Sequence, residues 1–185
     1  MRYETFNPKV HDVLKVAQFV YDVDFRTFDM LFKSSDAAVN TIAKSLKTED
    51  LETFTVILND DGEIIGMLIY YIDKFPRHFN FKSLRLLIVD ILDYFVLCDV
   101  GEGDLYVAEI AIDKSLRGQG LGKQVLVETI EYARSKNLNR VILDADFRNA
   151  GAKRLYEKLG FKEFNQKRVK IASFERGMYN MELVL

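Results

Sequence analysis

Three glycines occur at alternate positions in the middle of the chain, at Gly118, Gly120 and Gly122. They follow a run of mostly apolar, β-favouring residues, Tyr106–Ile112, and precede a segment with the apolar spacing of a helix. Glycine leaves backbone N–H groups uncovered by side chains, and the first turn of a helix attracts negative charge. The sequence therefore predicts an anion site, suited to a phosphate, where the strand passes into the helix.

The spacing of these glycines excludes two common nucleotide motifs. A P-loop requires Gly-x-x-x-x-Gly-Lys-Ser/Thr, but Arg117 stands where its first glycine belongs and Gln124 follows Lys123. A dinucleotide fingerprint requires Gly-x-Gly-x-x-Gly, and Lys123 occupies the position of its third glycine. The phosphate ligand must therefore be of another kind.

A second segment with helical spacing lies further along the chain, from Asn149 to Phe161. Its sequence is NAGAKRLYEKLGF, in which Asn149 can cap a helix and Gly160 can end it. The apolar positions share one helix face, at Ala152, Leu155, Tyr156 and Leu159. Taken alone, this spacing favours Tyr156 as a core aromatic residue.

Together the two segments resemble the GNAT superfamily of N-acetyltransferases. Arg117, Gly120 and Gly122 carry that family's Arg/Gln-x-x-Gly-x-Gly/Ala turn, and Asn149–Phe161 matches its Asn, Ala, Tyr and Lys-x-Gly-Phe pattern. The resemblance covers Leu105–Phe161. It implies an α+β / α/β fold with a mixed central sheet of about six or seven strands, flanked by helices, with a helical insertion before the central strand.

The resemblance also implies acetyl-CoA as the acetyl donor. Its diphosphate would lie on the glycine turn, and its pantetheine arm would pair with the backbone of the central strand where the next strand, 140–145, splays away. We expect the apolar side chains of that part of the central strand to point into the core. The implied cofactor-binding residues are Ile110, Ala111, Ile112, Arg117, Gly118, Gln119, Gly120, Leu121, Gly122, Lys123, Asn149, Ala152 and Tyr156.

Acyl transfer to an amine requires a neutral acceptor, a polarised thioester carbonyl and a proton donor for the leaving thiolate. By resemblance Tyr156 is that donor, and an ordinary phenol with a pKa of about 10 would suit the role. A backbone N–H at or next to Ile110 would polarise the carbonyl. The resemblance thus moves Tyr156 from a core residue to a catalytic one.

Two carboxylates are candidates for the general base, and the sequence leaves the choice open. Glu109 is the one charge in an apolar strand, and Asp144 lies in the next strand, where part of the resembled family carries an acidic group. Either carboxylate can equally be solvated or ion-paired, and a water chain is a third alternative. His11, His78 and Cys98 lack partners at ligand spacing, so no metal site or thiol nucleophile is indicated.

Composition and charge restrict the class of protein. Of the 185 residues, 49% are hydrophobic and 29% are charged, and the net charge is -2, which argues against a nucleic-acid or membrane surface. The one cysteine, Cys98, cannot form an internal disulfide, and the N-terminal residues lack the apolar core of a signal peptide. We expect one N-acetyltransferase domain, 1–185, in the cytoplasm, with neither nucleic acid nor membrane as a partner.

The elements that must position these residues follow from periodicity and turn signals. The predicted strands are Arg2–Phe6, Thr53–Leu58, Ile64–Ile72, Tyr106–Ile112, Arg140–Ala145, Val169–Ile171 and Met178–Leu183, the second and third forming a hairpin and the last two an antiparallel pair. The predicted helices are Val10–Val23, a segment capped by Ser35 or Asp36, a segment that Ser83 caps and that runs to Phe95, and those after Gly120 and Asn149. The segment Phe25–Phe32 is predicted as a short helix or an aromatic loop.

Two regions depart from any motif. The insertion, roughly 73–103, is predicted to begin with a loop at Pro76, Arg77 and His78 and to continue as a helix or helical hairpin. The apolar surface of that helix is expected to be covered by this protein's own sheet or by a second copy, as in a homodimer. The early helices border the acceptor site in the resembled family, but the apolar character of their aromatic residues favours a core role. These aromatic residues are Tyr21, Phe25, Phe28 and Phe32.

The function predicted from all of this is direct transfer of the acetyl group of acetyl-CoA to a primary amine. The acceptor, a small molecule or a peptide, is not indicated by any motif. The alternative is a CoA-binding module that senses acetyl-CoA without turnover.

Overall fold

A computed structural model describes residues 1–47, 53–74, 83–171 and 174–185. Its strands are β1 (Arg2–Thr5), β2 (Phe54–Leu58), β3 (Ile64–Ile72), β4 (Asp104–Ile112), β5 (Arg140–Asp146), β6 (Lys162–Ile171) and β7 (Phe174–Val184). Its α-helices are α1 (Val13–Val23), α2 (Phe25–Leu31), α3 (Ser35–Leu46), α4 (Leu84–Val96), α5 (Leu121–Ser135) and α6 (Ala150–Lys158), and a 3₁₀ turn covers Lys114–Leu116.

Within the described ranges the seven strands form one mixed sheet in the order β1-β2-β3-β4-β5-β7-β6. The predicted architecture is confirmed, because β4 is central in this order and α4 is inserted directly before it along the chain. In the part of the chain that the structure describes, none of the helices combines the length and the apolar character needed to cross a bilayer.

The chain divides into two compact units. Residues 1–70 and 109–122 form the first, called here the N-terminal unit, and residues 71–108 and 123–185 form the second, the C-terminal unit. The strands β3 and β4 and the helix α5 each contribute residues to both units. The single domain expected from the chain length stays a prediction.

In the N-terminal unit, side-chain caps determine where α1 and α3 begin. The Asp12 carboxylate accepts hydrogen bonds from the N–H groups of α1, so this helix starts at Val13 and not at the predicted Val10. The Ser34 hydroxyl accepts a hydrogen bond from Ala37 N at 3.2 Å. The prediction that Ser35 or Asp36 caps α3 is therefore wrong, since both lie inside the helix.

The aromatic residues of the early helices divide into core and surface positions. Tyr21, Phe28 and Phe32 are buried, as the core interpretation predicted, whereas Phe25 is 44% exposed and lies outside the core. The segment predicted as a short helix or an aromatic loop, Phe25–Phe32, forms the helix α2 up to Leu31, and Phe32 caps its end. In the same unit, β2 and β3 pair antiparallel, which confirms the predicted hairpin.

The C-terminal unit is built around β5. The strand β4 pairs with it in parallel from Asp104↔Arg140 to Val107↔Leu143, as the strand-helix-strand order predicted, and β7 pairs with it antiparallel. The hairpin of β6 and β7 confirms the predicted closing pair and extends it in both strands. Burial along β4 falls from its first residues to its last, since 104–107 are buried and 108–112 are half-buried.

The inserted helix α4 packs against β6 and β7 with one of its two apolar faces. Ser83 caps it as predicted, and its buried positions are Leu86, Val89, Leu92 and Val96. The opposite face exposes Leu84, Ile91, Tyr94 and Phe95. The expected cover by the protein's own sheet is thus confirmed for one face, and the predicted loop at Pro76, Arg77 and His78 lies outside the described residues.

Candidate active site

The turn that follows β4 is held by hydrogen bonds to a single carboxylate. Asp113 Oδ1 accepts from Ser115 N at 2.9 Å and from Ser115 Oγ at 2.7 Å, and Leu116 N donates to the Asp113 carbonyl at 2.9 Å. The two bonds from Ser115 lower the pKa of Asp113. Asp113 N also donates to the Ile65 carbonyl of β3 at 2.9 Å, so the turn starts from a fixed point.

The glycines after this turn form an open corner of backbone. Gly118 and Gly120 have φ angles of +81° and +80°, the left-handed region that favours glycine. A Cβ atom built on either residue would meet no other atom within 4 Å. The predicted corner is therefore not blocked by any described side chain, and its backbone is accessible to a ligand.

The N–H groups at this corner fit the anion that the sequence predicted. Helix α5 begins at Leu121, and the first four N–H groups of a helix have no partner within it. Arg117 and Lys123 are exposed beside them, and neither forms an ion pair with another residue in the described ranges. Uncovered N–H donors and two available cations suit a diphosphate such as that of a coenzyme A.

The last part of β4 leads into the corner with half-buried side chains. Ile110, Ala111 and Ile112 were predicted to point into the core, but each is only half-buried. The backbone is closely packed here, since a Cβ on Gly66 of β3 would lie 2.5 Å from the Ala111 carbonyl oxygen. Glu109, a candidate base, is also half-buried and begins this part of the strand.

In the C-terminal unit, the other candidate base lies in a hydrogen-bond network. Asp144 Oδ2 accepts from Cys98 N at 3.1 Å and from the Tyr106 hydroxyl at 2.9 Å. Its Oδ1 accepts from the Asn180 side-chain amide, which also donates to the Val96 carbonyl of α4 at 3.3 Å. Burial raises the pKa of Asp144, and these donors offset that shift only in part.

The helix α6 positions the candidate acid. Asn149 caps it as predicted, with its Oδ1 accepting from Ala152 N at 3.0 Å, and Gly160 follows its end with φ at +96°. Tyr156 is buried on this helix, with its ring centroid 6.0 Å from that of Phe161. The predicted caps of the Tyr156 helix are therefore confirmed at both ends.

The Tyr156 phenol differs from the ordinary one that the sequence suggested. Burial, and after it the charge of Asp144, raises the pKa of Tyr156 to about 12. A donor with a pKa of about 12 releases its proton less readily than an ordinary phenol with a pKa of about 10. The prediction of an ordinary phenol pKa is thus wrong, and Tyr156 keeps its proton throughout the neutral range.

Three members of the Asp144 network carry no signal in the sequence. Tyr106 and Asn180 were predicted only as residues of strands. Cys98 was predicted only to form no internal disulfide. Strand pairing brings them to Asp144 from sequence separations of 38, 36 and 46 residues. Burial raises the pKa of the Cys98 thiol, which makes it a poor nucleophile. No cluster of three metal-ligating side chains occurs among the described residues.

Comparison with known proteins identifies the family to which this chain is similar. Residues 17–161 match the family model described as Acetyltransferase (GNAT) family. Over 75 residues, 40% of the chain, the sequence is 37% identical to a mycothiol acetyltransferase from Acidothermus cellulolyticus. Over 57 residues, 31% of the chain, it is 39% identical to a glucosamine 6-phosphate N-acetyltransferase from Trypanosoma brucei brucei. The chain spans 21% and 37% of the length of these two curated relatives.

A solved structure supports the same fold over the whole chain. An N-acetyltransferase from Staphylococcus aureus superposes with a TM-score of 0.66 and 17% sequence identity, covering 99% of this chain and 100% of that one. At this level of identity the likeness shows a shared fold and nothing about the acceptor.

Proposed function

Because this chain belongs to the acetyltransferase (GNAT) family, we propose that it is an N-acetyltransferase that transfers the acetyl group of acetyl-CoA directly to a primary amine. Members of this family use acetyl-CoA as the acetyl donor. The observation that carries the proposal is the open corner at Gly118 and Gly120, where backbone N–H groups are uncovered beside two exposed cations. We further infer from the reduced thiol of Cys98 that the enzyme is cytoplasmic.

The residues proposed to hold acetyl-CoA belong to two groups. The glycine turn, with its flanking cations, would bind the diphosphate, and the backbone of Ile110–Ile112 would pair with the pantetheine arm. Asn149, Ala152 and Tyr156 complete the proposed set on α6. When bound, acetyl-CoA supplies an acetyl group activated as a thioester.

Tyr156 is the proposed general acid. Its phenol is buried and protonated at neutral pH, so its hydroxyl would be available to give a proton to a departing thiolate. The backbone N–H at or next to Ile110 would stabilise negative charge on the carbonyl oxygen.

Of the two carboxylates, the hydrogen-bond geometry favours Glu109 as the proton acceptor. Asp144 Oδ2 already accepts two hydrogen bonds, which use both of its lone pairs, and Oδ1 accepts a third. An oxygen engaged in this way has little capacity left for the proton of an ammonium group. We therefore propose that Glu109, directly or through water, deprotonates the acceptor amine.

The acceptor is proposed only as a class. Relatives that match parts of the chain are named for acceptors as different as mycothiol, glucosamine 6-phosphate and protein N-termini. Deprotonating a lysine ammonium at pH 7 costs roughly 4 to 5 kcal/mol, whereas an α-amino group costs about 1 kcal/mol. A carboxylate base such as Glu109 therefore matters most if the acceptor is an alkyl amine of high pKa.

The test combines calorimetry with a thiol-release assay. The wild-type protein should bind coenzyme A and release its thiol from acetyl-CoA in the presence of at least one amine of a panel of polyamines, amino acids, aminoglycosides and peptides. Binding without any amine-dependent release would instead support the acetyl-CoA sensor. Absence of heat on addition of coenzyme A would refute both functions.

A glycine substitution makes the test specific to the corner. Gly120→Ala should weaken coenzyme A binding by about 10- to 100-fold, because the new Cβ intrudes on donors that each contribute roughly 1.5 to 3 kcal/mol to a charged ligand. The matched control is Gly62→Ala in the turn between β2 and β3. Gly62 has φ at +82° and equally open surroundings, so both variants carry the same backbone strain. Equal loss of binding in both variants would refute a site at Gly120.

A further inference from the structure

The turn before the glycine corner is attached to helix α1 by two ion pairs. Lys114 Nζ lies 2.8 Å from Asp22 Oδ1, and Lys15 Nζ lies 3.7 Å from Asp113 Oδ2. Each pair has one partner on α1 and the other in the turn, with the charges in opposite order. The sequence gives no sign of this link, because the residues of the closer pair are 92 positions apart.

Asp22 is the fixed partner of the closer pair. Its side chain is 7% exposed, whereas that of Lys114 is 60% exposed. A second donor, Gln18 Nε2, also lies 2.8 Å from Asp22 Oδ1 and holds the carboxylate in place. A carboxylate buried to this degree has shed most of its hydration, so it depends on these partners far more than a surface charge does.

Helix α1 is itself a rigid support. Lys15, Gln18 and Asp22 follow one another at helical spacing and so share one face of α1. The other face is anchored in the core of the N-terminal unit, where Val16 and Ala17 are both 0% exposed. The two ion pairs therefore join the turn to an element that cannot move without disturbing the core.

The corner needs such support because of its glycines. A Cβ built on Gly118 or Gly120 would meet no atom within 4 Å, and glycine loses more conformational freedom on ordering than any other residue. A ligand that binds to the corner must supply the free energy to order it, unless the preceding residues restrict it beforehand. Hydrogen bonds within the turn fix Asp113–Arg117 locally, and the ion pairs fix this turn to α1.

We propose that Asp22, acting through Lys114, and Lys15, acting through Asp113, are positioning residues that hold the glycine corner ready for the diphosphate of acetyl-CoA. The proposal rests on the proposed function, since it assigns a role in binding that donor. In this proposal Lys114 binds the Asp22 carboxylate and not the ligand, so the cations that face the ligand are Arg117 and Lys123.

Substitution of Asp22 separates this role from a purely structural one. Asp22→Asn should raise KM for acetyl-CoA and Kd for coenzyme A roughly two- to fivefold, with kcat unchanged, because only the readiness of the corner is lost. The control is Glu131→Gln, which also neutralises one carboxylate of an ion pair, here an exposed pair with Arg134 within α5. An unchanged Kd in Asp22→Asn, or an equal change in Glu131→Gln, would overturn the proposal.

A double variant tests whether Lys114 acts through Asp22. Lys114→Met should weaken coenzyme A binding about as much as Asp22→Asn. The Kd of the double variant for coenzyme A should be no higher than that of the single variant that binds more weakly. Additive losses would mean that Lys114 contacts the ligand itself, which would overturn the proposal. If Asp22→Asn does not fold, Lys114→Met breaks the same contact from its exposed end. Failure of the wild type to bind coenzyme A would instead be failure of the proposed function.

Discussion

The two units of this chain hold their functional groups by opposite means. In the N-terminal unit the groups proposed to bind the diphosphate are backbone N–H donors on an open turn, supported by ion pairs whose cationic partners reach solvent. In the C-terminal unit they are side chains, the Asp144 carboxylate and the Tyr156 phenol, embedded among buried donors and rings. The difference matches the tasks proposed for them. A charged ligand must enter and leave an accessible site, whereas a proton donor depends on a fixed environment for its pKa.

The same comparison predicts where substitutions are costly. Exposed ion pairs contribute about 0 to 1 kcal/mol, because water and salt compete with them. A buried group that loses its partner costs roughly 1 to 3 kcal/mol, because no water replaces the lost hydrogen bond. Loss of the partly exposed Lys15–Asp113 pair should therefore have little effect on stability. Loss of a partner of the buried Asp22, or of a donor in the Asp144 network, should lower the free energy of unfolding.

The largest expected effect concerns Tyr156. Tyr156→Phe should lower kcat by about 10²-fold or more while Kd for coenzyme A stays near that of the wild type, because only the donated proton is removed. The matched control is Tyr132→Phe on α5, where the ring contact with Lys136 survives the loss of the hydroxyl. A full rate in Tyr156→Phe would show that the C-terminal unit does not supply the acid and would remove the proposed division of tasks.

A smaller effect is expected from Tyr106, which belongs to the Asp144 network and has no proposed chemical role. Its side chain is 0% exposed and its hydroxyl donates to Asp144 at 2.9 Å. Tyr106→Phe should lower the free energy of unfolding by roughly 1 to 3 kcal/mol, since Asp144 stays buried with one donor fewer. Urea unfolding measures this, with Tyr132→Phe again as the control. A variant as stable as the wild type would mean that the network around Asp144 is not the buried structure described.

The elements of both units followed from the sequence far better than their contacts did. Strands, the inserted helix and the caps Ser83 and Asn149 were predicted, because periodicity and capping are properties of neighbouring residues. The glycine corner was predicted for the same reason. The Asp144 network and the ion pair between Asp22 and Lys114 were not predicted, because their members lie far apart along the chain and share no sequence pattern.

The error over the cap of α3 has a related cause. Ser34, Ser35 and Asp36 are all residues that favour the N-cap, so composition alone cannot choose among them. The choice falls to Ser34, which has the extended backbone that a cap requires and bonds to Ala37 N. Similarly, the pKa of Tyr156 depends on burial and on Asp144, and neither can be read from the spacing within α6.

The smallest expected effect concerns how the contributions of Asp144 and Asp113 to stability change with pH, which should be in opposite directions. Burial raises the pKa of Asp144 above the ordinary 3.8, whereas bonds from Ser115 lower that of Asp113 below it. Asp144 therefore binds its proton more tightly in the folded than in the unfolded chain, and its contribution to stability falls as the pH rises from about 3.8 through its folded pKa. Asp113 behaves oppositely, and its contribution is lost as the pH falls from about 3.8 through its folded pKa.

Urea unfolding of Asp144→Asn and Asp113→Asn across the acid range resolves the two signs. The difference in free energy of unfolding between wild type and Asp144→Asn should decrease with rising pH above about 3.8, because only the wild type must ionise a buried carboxyl. The difference for Asp113→Asn should increase with rising pH up to about 3.8 and then stay level. Slopes of the same sign would contradict the opposite pKa shifts of the two carboxyls, because a raised and a lowered folded pKa give opposite slopes.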